Sequence, residues 1–257
     1  MTGKKESERK DDGLNLQKEG SYSRLRRDII ELRLKPGTII SINELCTHYD
    51  SSRSPMRDTL LSLAQEGLVT LLPQRGTMIS KIDLKRVEEE RFLRVSVERE
   101  VMKLFMRQHN QADIDNLEKS MKKQAECVTA GNYREFLAAD DDFHNKFYHA
   151  VDKSWCAKTI DSVSGHYRRL RLLSIIDQSI SKDILLQHRE MMDAIKKNDE
   201  QRLMAIFNDH LKKLDEEGPE FFRKFPDLFQ KKGIEKKQED TLDDDFLLSL
   251  VSTDKDK

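Results

Sequence analysis

The hydrophobic positions in the first third of the chain predict three short helices followed by a β-hairpin. In each helix the apolar residues recur at helical spacing and so share one face. They are, helix by helix, Tyr22, Leu25, Ile29 and Leu32; Leu45 and Tyr49; and Met56, Leu60 and Leu63. The segment LVTLLPQRGTMIS then reads as a strand, a tight turn and a returning strand. Helices and hairpin in this order form a winged helix-turn-helix, which we place at residues 19–81.

Residues that start and end helices support these boundaries. Ser41 and Glu44 have the spacing of a capping box at the start of the second helix. Ser52 is the expected N-cap of the third helix, where its hydroxyl can accept a first-turn N–H. Asp50 tolerates a left-handed backbone in the turn between these helices, and Gly67 can end the third one.

From residue 82 onward the apolar residues keep helical spacing, and no segment shows the alternation of a strand. Asp83 is the expected N-cap of the first of these helices, and Gly131 separates two later ones. The predicted helices are 84–108, 111–129, 132–150, 153–177, 180–197 and 199–216, with a shorter seventh after Gly218-Pro219. The predicted fold class is therefore mainly α, a winged helix-turn-helix followed by an all-α bundle of six to seven helices at residues 82–228.

Composition changes this picture most at the two ends of the chain. Residues 1–18 are polar and of mixed charge, which predicts a disordered arm. Residues 229–257 are highly charged and are predicted to be a disordered tail. The apolar island at 246–251 leaves open a second interpretation, a docking segment that folds onto its own domain or onto a partner.

The charge balance and the cysteines limit the classes of function. Charged residues make up 36% of the chain, yet the formal net charge is −1, so any DNA contact must be local. The cysteines are isolated and form no CxxC pair, which fits a reducing compartment. No run approaches the roughly 18 apolar residues of a membrane helix, and the N-terminus is charged rather than signal-like. We expect a cytoplasmic protein without membrane contact.

Arginines in the third helix and at the hairpin tip suit a DNA duplex. Arg53 and Arg57 are four residues apart, so they share a face beside the apolar one. Such a helix can enter the major groove, while the hairpin, with Arg75 at its tip, lies along a neighbouring groove or the backbone. The alternative is a solvated surface, but the context of these arginines favours DNA.

The segment LRRDIIELRLKPGTIISINELCTHYDSSRSPMRDTLLSLAQEGLVTLLPQRGTMIS resembles the DNA-binding domain of GntR-family transcriptional regulators. The shared marks are the Pro-Gly after the first helix, the Ser-Arg-x-Pro-x-Arg of the third, the Glu-Gly-Leu-Val exit and the Arg-Gly wing tip. The resemblance implies that operator DNA contacts Ser52, Arg53, Ser54, Arg57, Arg75 and Gly76. This chain departs from the family at Asp50-Ser51, which replaces a glycine and an apolar residue. It departs again at Asn43, where some members carry a base-contacting arginine.

Four side chains of the predicted bundle form a candidate metal site. Asp140 and His144 are one helical turn apart and can face one point. His188 and His210 lie on the apolar sides of two other helices, and a buried histidine needs a hydrogen-bond partner or a metal. One such histidine is usually structural, but three with a carboxylate predict an N3O site for a divalent transition metal.

Residues 84–216 resemble the FCD subgroup of the same family, also called the FadR-type C-terminal domain. The shared marks are Asp140-x-x-x-His144 and the segment QHREMMDAIKKNDEQRLMAIFNDHL, which contains the other two histidines. In metal-containing members these positions bind zinc or a similar ion, which in turn binds a carboxylate of a small effector. The resemblance therefore implies zinc here, with nickel or manganese as alternatives.

Other residues of the bundle are weaker candidates. By the same resemblance Arg94 would pair with the effector carboxylate; the alternative is an ion pair with Glu98, one turn along the helix. His166 either lines the effector pocket or is a core histidine. The neighbouring run of Arg168, Arg169 and Arg171 is interpreted as a solvated face.

These features predict a sequence-specific transcriptional regulator and not an enzyme. We expect a homodimeric repressor that places two winged helices on a pseudo-palindromic operator and responds to a small carboxylic acid bound at the metal. Two alternatives remain. The chain could be a metal-dependent hydrolase fused to a DNA-binding domain, or a regulator whose metal is purely structural.

Overall fold

The computed structural model describes residues 20–178 and 180–230, without the side chains of 177–178 and 213–217. The N-terminal elements are α1 (Ser21–Ile30), β1 (Ile39–Ile40), α2 (Ile42–Tyr49), α3 (Arg53–Gln65), β2 (Val69–Leu72) and β3 (Gly76–Ile79). The helices that follow are α4 (Leu84–Gln108), α5 (Gln111–Ala130), α6 (Tyr133–Ala150), α7 (Ser154–Val163), α8 (Gly165–Gln178), α9 (Ser181–Lys196) and α10 (Glu200–Lys224). A 3-10 turn at Pro226–Leu228 ends the series. We call these two parts the winged-helix domain and the helical domain.

The winged-helix domain packs its helices against a small antiparallel sheet, which confirms the predicted winged helix-turn-helix. The sheet contains one strand more than the predicted hairpin, because β1 pairs with β3 and places Ile39 opposite Met78. A strand of 2 residues is too short to show an alternating pattern in the sequence. The core is formed by apolar residues that include Leu25, Ile29, Met56, Leu63 and Leu68.

Most of the predicted signals at helix ends are confirmed. Ser41 and Glu44 form the capping box, and Asp50 ends α2 with a left-handed backbone at φ 50° and ψ 55°. Gly67 follows α3 with φ +75°, a conformation that glycine adopts without strain. The capping bond predicted for Ser52 is wrong. Ser52 occupies the N-cap position of α3, but its side chain accepts no bond there, because water can satisfy the N–H groups of this exposed helix start.

The helical domain forms its core from aromatic and aliphatic residues on the inner faces of its helices. Phe105, Phe143, Phe147 and Phe207 are fully buried at the centre of this core. The predicted N-cap of α4 is confirmed, since the Asp83 side chain accepts from the N–H groups of the first helical turn. In the described part of the chain, no helix is both long enough and apolar enough to cross a membrane.

The predicted helix 153–177 is wrong, because the structure divides it into α7 and α8 at Ser164. The Ser164 hydroxyl donates to the Ile160 carbonyl and so bonds to the end of α7. Gly165 then begins α8 directly against the winged-helix domain, where an added Cβ would lie 2.5 Å from Leu68 Cδ2. A contact from another domain thus accompanies this break, and helical periodicity within the segment cannot reveal such a contact.

The predicted end at 216 and the separate seventh helix are also wrong. Helix α10 continues through Pro219 to Lys224. Phe221 is buried with 1% of its surface exposed, in a cluster with Ile82 and Tyr167. Burial of this aromatic side chain favours continuation of the helix and outweighs the local cost of the proline.

The chain beyond α10 returns to the linker between the two domains. Phe229 is fully buried and forms a parallel bridge with Ile82. The Gln230 N–H donates to the Ile82 carbonyl at 2.9 Å. The described fold therefore extends past residue 228, where the predicted bundle ended. The predicted arm at 1–18 and the remainder of the predicted tail lie outside the described residues.

Candidate metal centre and DNA-binding surface

The structure brings together the four residues predicted to bind a metal. Asp140 and His144 lie on α6, His188 on α9 and His210 on α10. One ligand atom from each residue lies within 4.8 Å of the others. Asp140, His144 and His188 are buried, with at most 2% of their surfaces exposed, and His210 is partly buried. Three helices therefore converge on one group that could hold a metal ion.

Each of the three histidines has an acceptor at its Nδ1 atom, and this fixes the orientation of the ring. The pairs are His144 with the Glu98 carboxylate, His188 with Gln124 Oε1 at 2.7 Å, and His210 with Gln187 Oε1 at 2.8 Å. Because these oxygen atoms only accept hydrogen bonds, Nδ1 carries the proton and donates. In a neutral imidazole, Nε2 then keeps its lone pair for a metal, with an acceptor behind the ring as metal-bound histidines have.

Unpaired buried atoms at the centre test whether a metal fits. His144 Nε2, His188 Nε2 and Asp140 Oδ1 are buried and have no hydrogen-bond partner. Leaving such atoms without a partner costs on the order of 1–3 kcal/mol each. Asp140 Oδ1 and His188 Nε2 are 3.5 Å apart. Imidazole nitrogens and a carboxylate oxygen are donors that divalent transition metals prefer, so the residues present fit a metal ion.

Burial and the neighbouring charges set the protonation states of His188, His210 and Glu98. Burial is the main reason that the pKa of His188 and the pKa of His210 are well below the usual value, and nearby His144 adds to this effect. Both rings are therefore neutral near pH 7. Burial alone would raise the pKa of Glu98, but His144 and Arg94 together lower it to about 2, so this residue is a carboxylate.

The second oxygen of Asp140 is held by Arg171, which the sequence predicts to be solvent-exposed and the structure shows to be buried. Arg171 donates to Asp140 Oδ2 and, at 2.6 Å, to Asp141 Oδ1. Arg171 is only 7% exposed and Arg169 is fully buried. The predicted solvated face at Arg168, Arg169 and Arg171 is therefore wrong, because acidic residues of α6 and the Ser80 carbonyl of the linker region pair with these arginines.

Two small cavities adjoin the candidate metal centre, and Arg94 lines both. The first is also bounded by Glu98, Asp141, His144, Asp161 and Arg168, and the second by Asp140, Arg171 and His210. Arg94 Nε donates to Glu98 Oε2 at 3.0 Å. The alternative of an intrahelical ion pair is therefore confirmed, and Arg94 also lines the space beside the centre, so its pairing with an effector carboxylate stays a prediction.

His166 lies at the junction of the two domains rather than beside these cavities. Its Nδ1 accepts from the Asp83 N–H at 3.0 Å, and its Nε2 lies 3.2 Å from the Gly67 carbonyl. Burial, followed by the charges of Arg169 and Arg86, lowers the pKa of His166 to about 3. A neutral ring is thus bonded on both sides, to the exit of α3 and to the linker.

Most of the residues predicted to contact DNA are exposed in the winged-helix domain. Ser52, Arg53, Ser54 and Arg57 are exposed at the start of α3, and Arg75 is exposed at the hairpin tip. Asn43 on α2 accepts a hydrogen bond from Arg53 at 2.9 Å, so it positions this guanidinium. A structural constraint also explains Gly76, since its φ is +111° and an added Cβ would lie 2.8 Å from the Ile40 carbonyl oxygen.

Several residues around the centre were not predicted as site residues from the sequence. Gln124 and Gln187 support the histidines from α5 and α9, while Asp141 pairs with arginines from two other helices. The Asp-Asp-Asp run at 140–142 was a signal for Asp141. The two glutamines gave no local signal, because their role depends on which residue of another helix lies opposite.

Comparisons with known proteins agree with this architecture. Residues 17–79 match the family described as bacterial regulatory proteins, gntR family, and residues 91–213 match the FCD domain. An uncharacterized HTH-type regulator of an unstable DNA locus in Streptomyces ambofaciens is 30% identical over 209 residues, covering 78% of this chain and 87% of that protein. The HTH-type transcriptional repressor RspR of Escherichia coli (strain K12) is 28% identical over 195 residues, covering 76% and 86%.

Solved structures of other proteins share the fold. Escherichia coli McbR/YncC aligns with a TM-score of 0.67 at 14% identity, covering 80% of this chain and 96% of that one. A GntR-type regulator from Rhodococcus sp. RHA1 aligns with a TM-score of 0.65 at 19% identity, covering 77% and 94%. At these identities the likeness shows the fold alone.

A winged helix-turn-helix joined to a helical ligand-binding domain defines a class of transcriptional regulators that bind DNA with one domain and a ligand with the other. The chain belongs to the GntR family of bacterial regulatory proteins and carries an FCD domain, as the sequence resemblance predicted. The family and the curated relatives are regulators rather than enzymes, which confirms the predicted class and argues against the hydrolase alternative.

Proposed function

We propose that this regulator is a repressor whose operator affinity changes when a small carboxylate binds at a divalent metal, zinc in the first instance. Asp140, His144, His188 and His210 would hold the ion. The observation that carries this proposal is the set of buried, partnerless atoms, Nε2 of two histidines and Oδ1 of the aspartate, at the point where three helices converge. The Escherichia coli relative is itself named a repressor, which supports the direction of control.

The bound ion would supply a positive charge and an open coordination position for a carboxylate oxygen. The residues of the chain would orient that carboxylate. Arg94 faces both cavities beside the centre and can donate a charge-assisted hydrogen bond to it. A ligand held in this way changes operator affinity only if it binds two arrangements of the domains with different affinities.

The DNA contacts would come from the exposed surface around α3. Arg53 and Arg57 would reach base edges or phosphates in the major groove, with Ser52 and Ser54 beside them, and Arg75-Gly76 would follow the adjacent backbone or minor groove. One winged helix covers limited DNA surface, so two protomers on a pseudo-palindromic operator are expected.

The dimer would form through the helical domain. Phe92 is 70% exposed and Leu93 is 38% exposed, and both lie side by side on α4. Large aromatic and aliphatic side chains are enriched at the centres of protein interfaces, and a second copy would cover them. Sedimentation of wild-type protein and of Phe92→Glu tests this part. We expect a dimer and a monomer respectively, and a dimeric variant would contradict the assigned face.

Elemental analysis tests the metal centre. Wild-type protein should carry one ion per protomer after zinc loading, and His188→Ala should lose it. His149→Ala is the matched control, because His149 is exposed and bonds to Ser154 instead. Full occupancy in His188→Ala would contradict the ligand set.

Operator binding tests the regulatory role of the metal. A duplex selected from a random pool by the wild-type protein serves as the operator, and its affinity is measured with zinc and a series of small carboxylic acids. His188→Ala should lose the response to carboxylates while keeping its fold and its basal operator affinity. A response that survives the loss of metal would assign the ion a purely structural role.

A further inference from the structure

An alternating chain of carboxylates and guanidiniums leads from the candidate metal centre into the winged-helix domain. We call it the ion-pair relay. Its members in order are Asp140, Arg171, Asp141, Arg168, Asp161, Arg26 and Glu66. It begins at a predicted metal ligand on α6 and ends at the C-cap of α3, the helix expected to contact operator DNA.

Each step of the relay is a direct contact between charged atoms. Arg171 pairs with Asp140 and, at 2.6 Å, with Asp141. The remaining distances are 2.8 Å from Arg168 Nη2 to Asp141 Oδ2, 2.6 Å from Arg168 Nη1 to Asp161 Oδ1, 3.1 Å from Arg26 Nη1 to Asp161 Oδ2, and 2.7 Å from Arg26 Nε to Glu66 Oε2. Arg26 also donates to the Asp161 carbonyl, which anchors α1 to the end of α7.

Burial distinguishes this relay from ordinary surface ion pairs. The side chains of Arg26 and Glu66 are each 12% exposed, and those of Arg168 and Asp141 are 18% and 19% exposed. Asp161, at 48%, is the half-exposed member in the middle. Solvent and salt therefore screen the two ends weakly, whereas the centre remains open to an incoming ion.

The centre of the relay is also part of a cavity wall. Asp161 and Arg168 line the first cavity, together with Glu98 and His144. An anionic group that enters this cavity competes with Asp161 for the Arg168 guanidinium. A cation at Asp140 competes with Arg171 from the other end. Either event redistributes the charges that hold the Asp161 carboxylate in place, and this carboxylate is the one that pairs with Arg26.

A second contact between the domains does not depend on the relay. His166 bonds to Gly67 and Asp83, Arg169 Nη1 donates to the Ser80 carbonyl at 2.6 Å, and Gly165 packs on Leu68. None of these residues belongs to the relay. The second contact can therefore act as a pivot that keeps the domains joined while the relay opens.

We propose that the ion-pair relay is the route by which occupancy of the metal site and its cavity sets operator affinity, with Arg26 and Asp161 as the coupling residues. This inference rests on the metal-dependent function proposed above. Opening the relay at Asp161–Arg26 turns the winged-helix domain about the pivot and changes the placement of α3. Coupling between two binding sites is reciprocal, so operator DNA must change the affinity for zinc by the same factor as zinc changes the affinity for DNA.

The test measures zinc affinity with and without the selected operator duplex in wild-type protein, Arg26→Gln and Asp161→Asn. Arg33→Gln is the matched control, since Arg33 is an exposed arginine that follows α1 and pairs with Asp28 and Glu31 of its own segment. In wild-type protein and in the control, we expect the duplex to change the zinc affinity about 5- to 150-fold, the usual range of allosteric coupling. In both relay variants the ratio should fall towards one, while zinc affinity without DNA stays within about twofold of wild type.

The outcomes separate the two proposals. If zinc does not bind the wild-type protein, the proposed metal-dependent function is wrong, and so is the relay proposal that rests on it. Zinc that binds with the same DNA-dependent ratio in wild type, Arg26→Gln and Asp161→Asn defeats the relay alone. A ratio of one in wild-type protein also defeats the relay and leaves the metal site standing. Arg26→Lys, which keeps the charge, should restore part of the coupling.

Discussion

The arginines of the winged-helix domain and those of the helical domain share one residue type and have opposite surroundings. Arg53 and Arg57 are exposed at the start of α3, whereas Arg169 and Arg171 are buried. An exposed guanidinium keeps donors for a partner that arrives from outside. A buried one has its donors taken by carboxylates and carbonyls of the same chain, as Arg171 shows with Asp140 and Asp141.

This contrast shows where sequence and charge alone mislead. The same residue type is exposed to solvent in one domain, where we propose that it contacts DNA, and organises a buried acidic cluster in the other. The two roles predict different consequences of the same substitution, one in binding and one in stability. The variants below test this difference, from the largest expected effect to the smallest.

Replacing a buried arginine should affect stability most. Arg171→Ala leaves Asp140 and Asp141 without their shared partner, and removing one member of a buried ion pair typically costs about 3–5 kcal/mol. Urea unfolding of the metal-free protein measures the loss. A destabilisation below about 1 kcal/mol would mean that water replaces the guanidinium and that the site is less dry than its burial indicates.

Replacing an exposed arginine should affect DNA binding and leave stability almost unchanged. Arg57→Ala should weaken binding to the selected operator by about 1–3 kcal/mol, because a single arginine contact to a base edge has this magnitude. Competition binding at fixed salt measures the change, and urea unfolding provides the control. Unchanged operator affinity would remove Arg57 from the DNA-contacting surface.

The hydrogen-bond acceptors behind the histidines can be tested without replacing a residue that would bind the metal. Gln124→Ala removes the acceptor at His188 Nδ1 and should lower zinc affinity about 10- to 100-fold, the usual effect of losing an outer partner of a metal ligand. Gln124→Glu keeps an acceptor and should lose less. Equal affinities in the alanine variant and wild type would show that the ring is oriented by packing against Phe143 instead.

The junction histidine should make stability depend on pH. The pKa of His166 is lowered from 6.5 to about 3 in the folded protein, so below pH 6.5 the unfolded chain takes up a proton that the folded state refuses. The stabilisation is thus complete above pH 6.5 and is lost as the pH falls towards 3, with a slope of at most about 1.4 kcal/mol per pH unit. His166→Gln should show a shallower acid dependence in urea unfolding. An identical pH profile would assign the acid sensitivity to other groups.

Much of the fold was predictable because its signals are local. Helical spacing located the winged helix-turn-helix and most of the bundle, and residues such as Asp50, Gly67 and Asp83 marked the helix ends. The errors in the helix boundaries have non-local causes. Leu68 of one domain packs where α8 begins in the other, and burial of Phe221 favours the continuation of α10 through Pro219. No periodicity within a segment encodes a contact made by another segment.

In the candidate metal centre, too, residues with a local signal were predictable and residues defined by distant contacts were not. The convergence of the four candidate residues was predictable because Asp140 and His144 share a helical turn, and His188 and His210 lie on apolar helix faces. The surrounding shell was not, because Gln124 is 64 residues away from the histidine it supports. The arginines after His166 looked like a solvated surface for a similar reason. Their acidic partners lie on α6 and are visible only in three dimensions.

The pairing of Phe229 with Ile82 has a practical consequence for anyone who modifies this protein. It brings the last described residues of the helical domain back to the linker where this domain begins. A reporter fused directly after Gln230 would therefore be attached to that linker rather than to a remote terminus. Its size and motion would perturb the angle between the two domains. Any ligand response measured with such a fusion would include this perturbation.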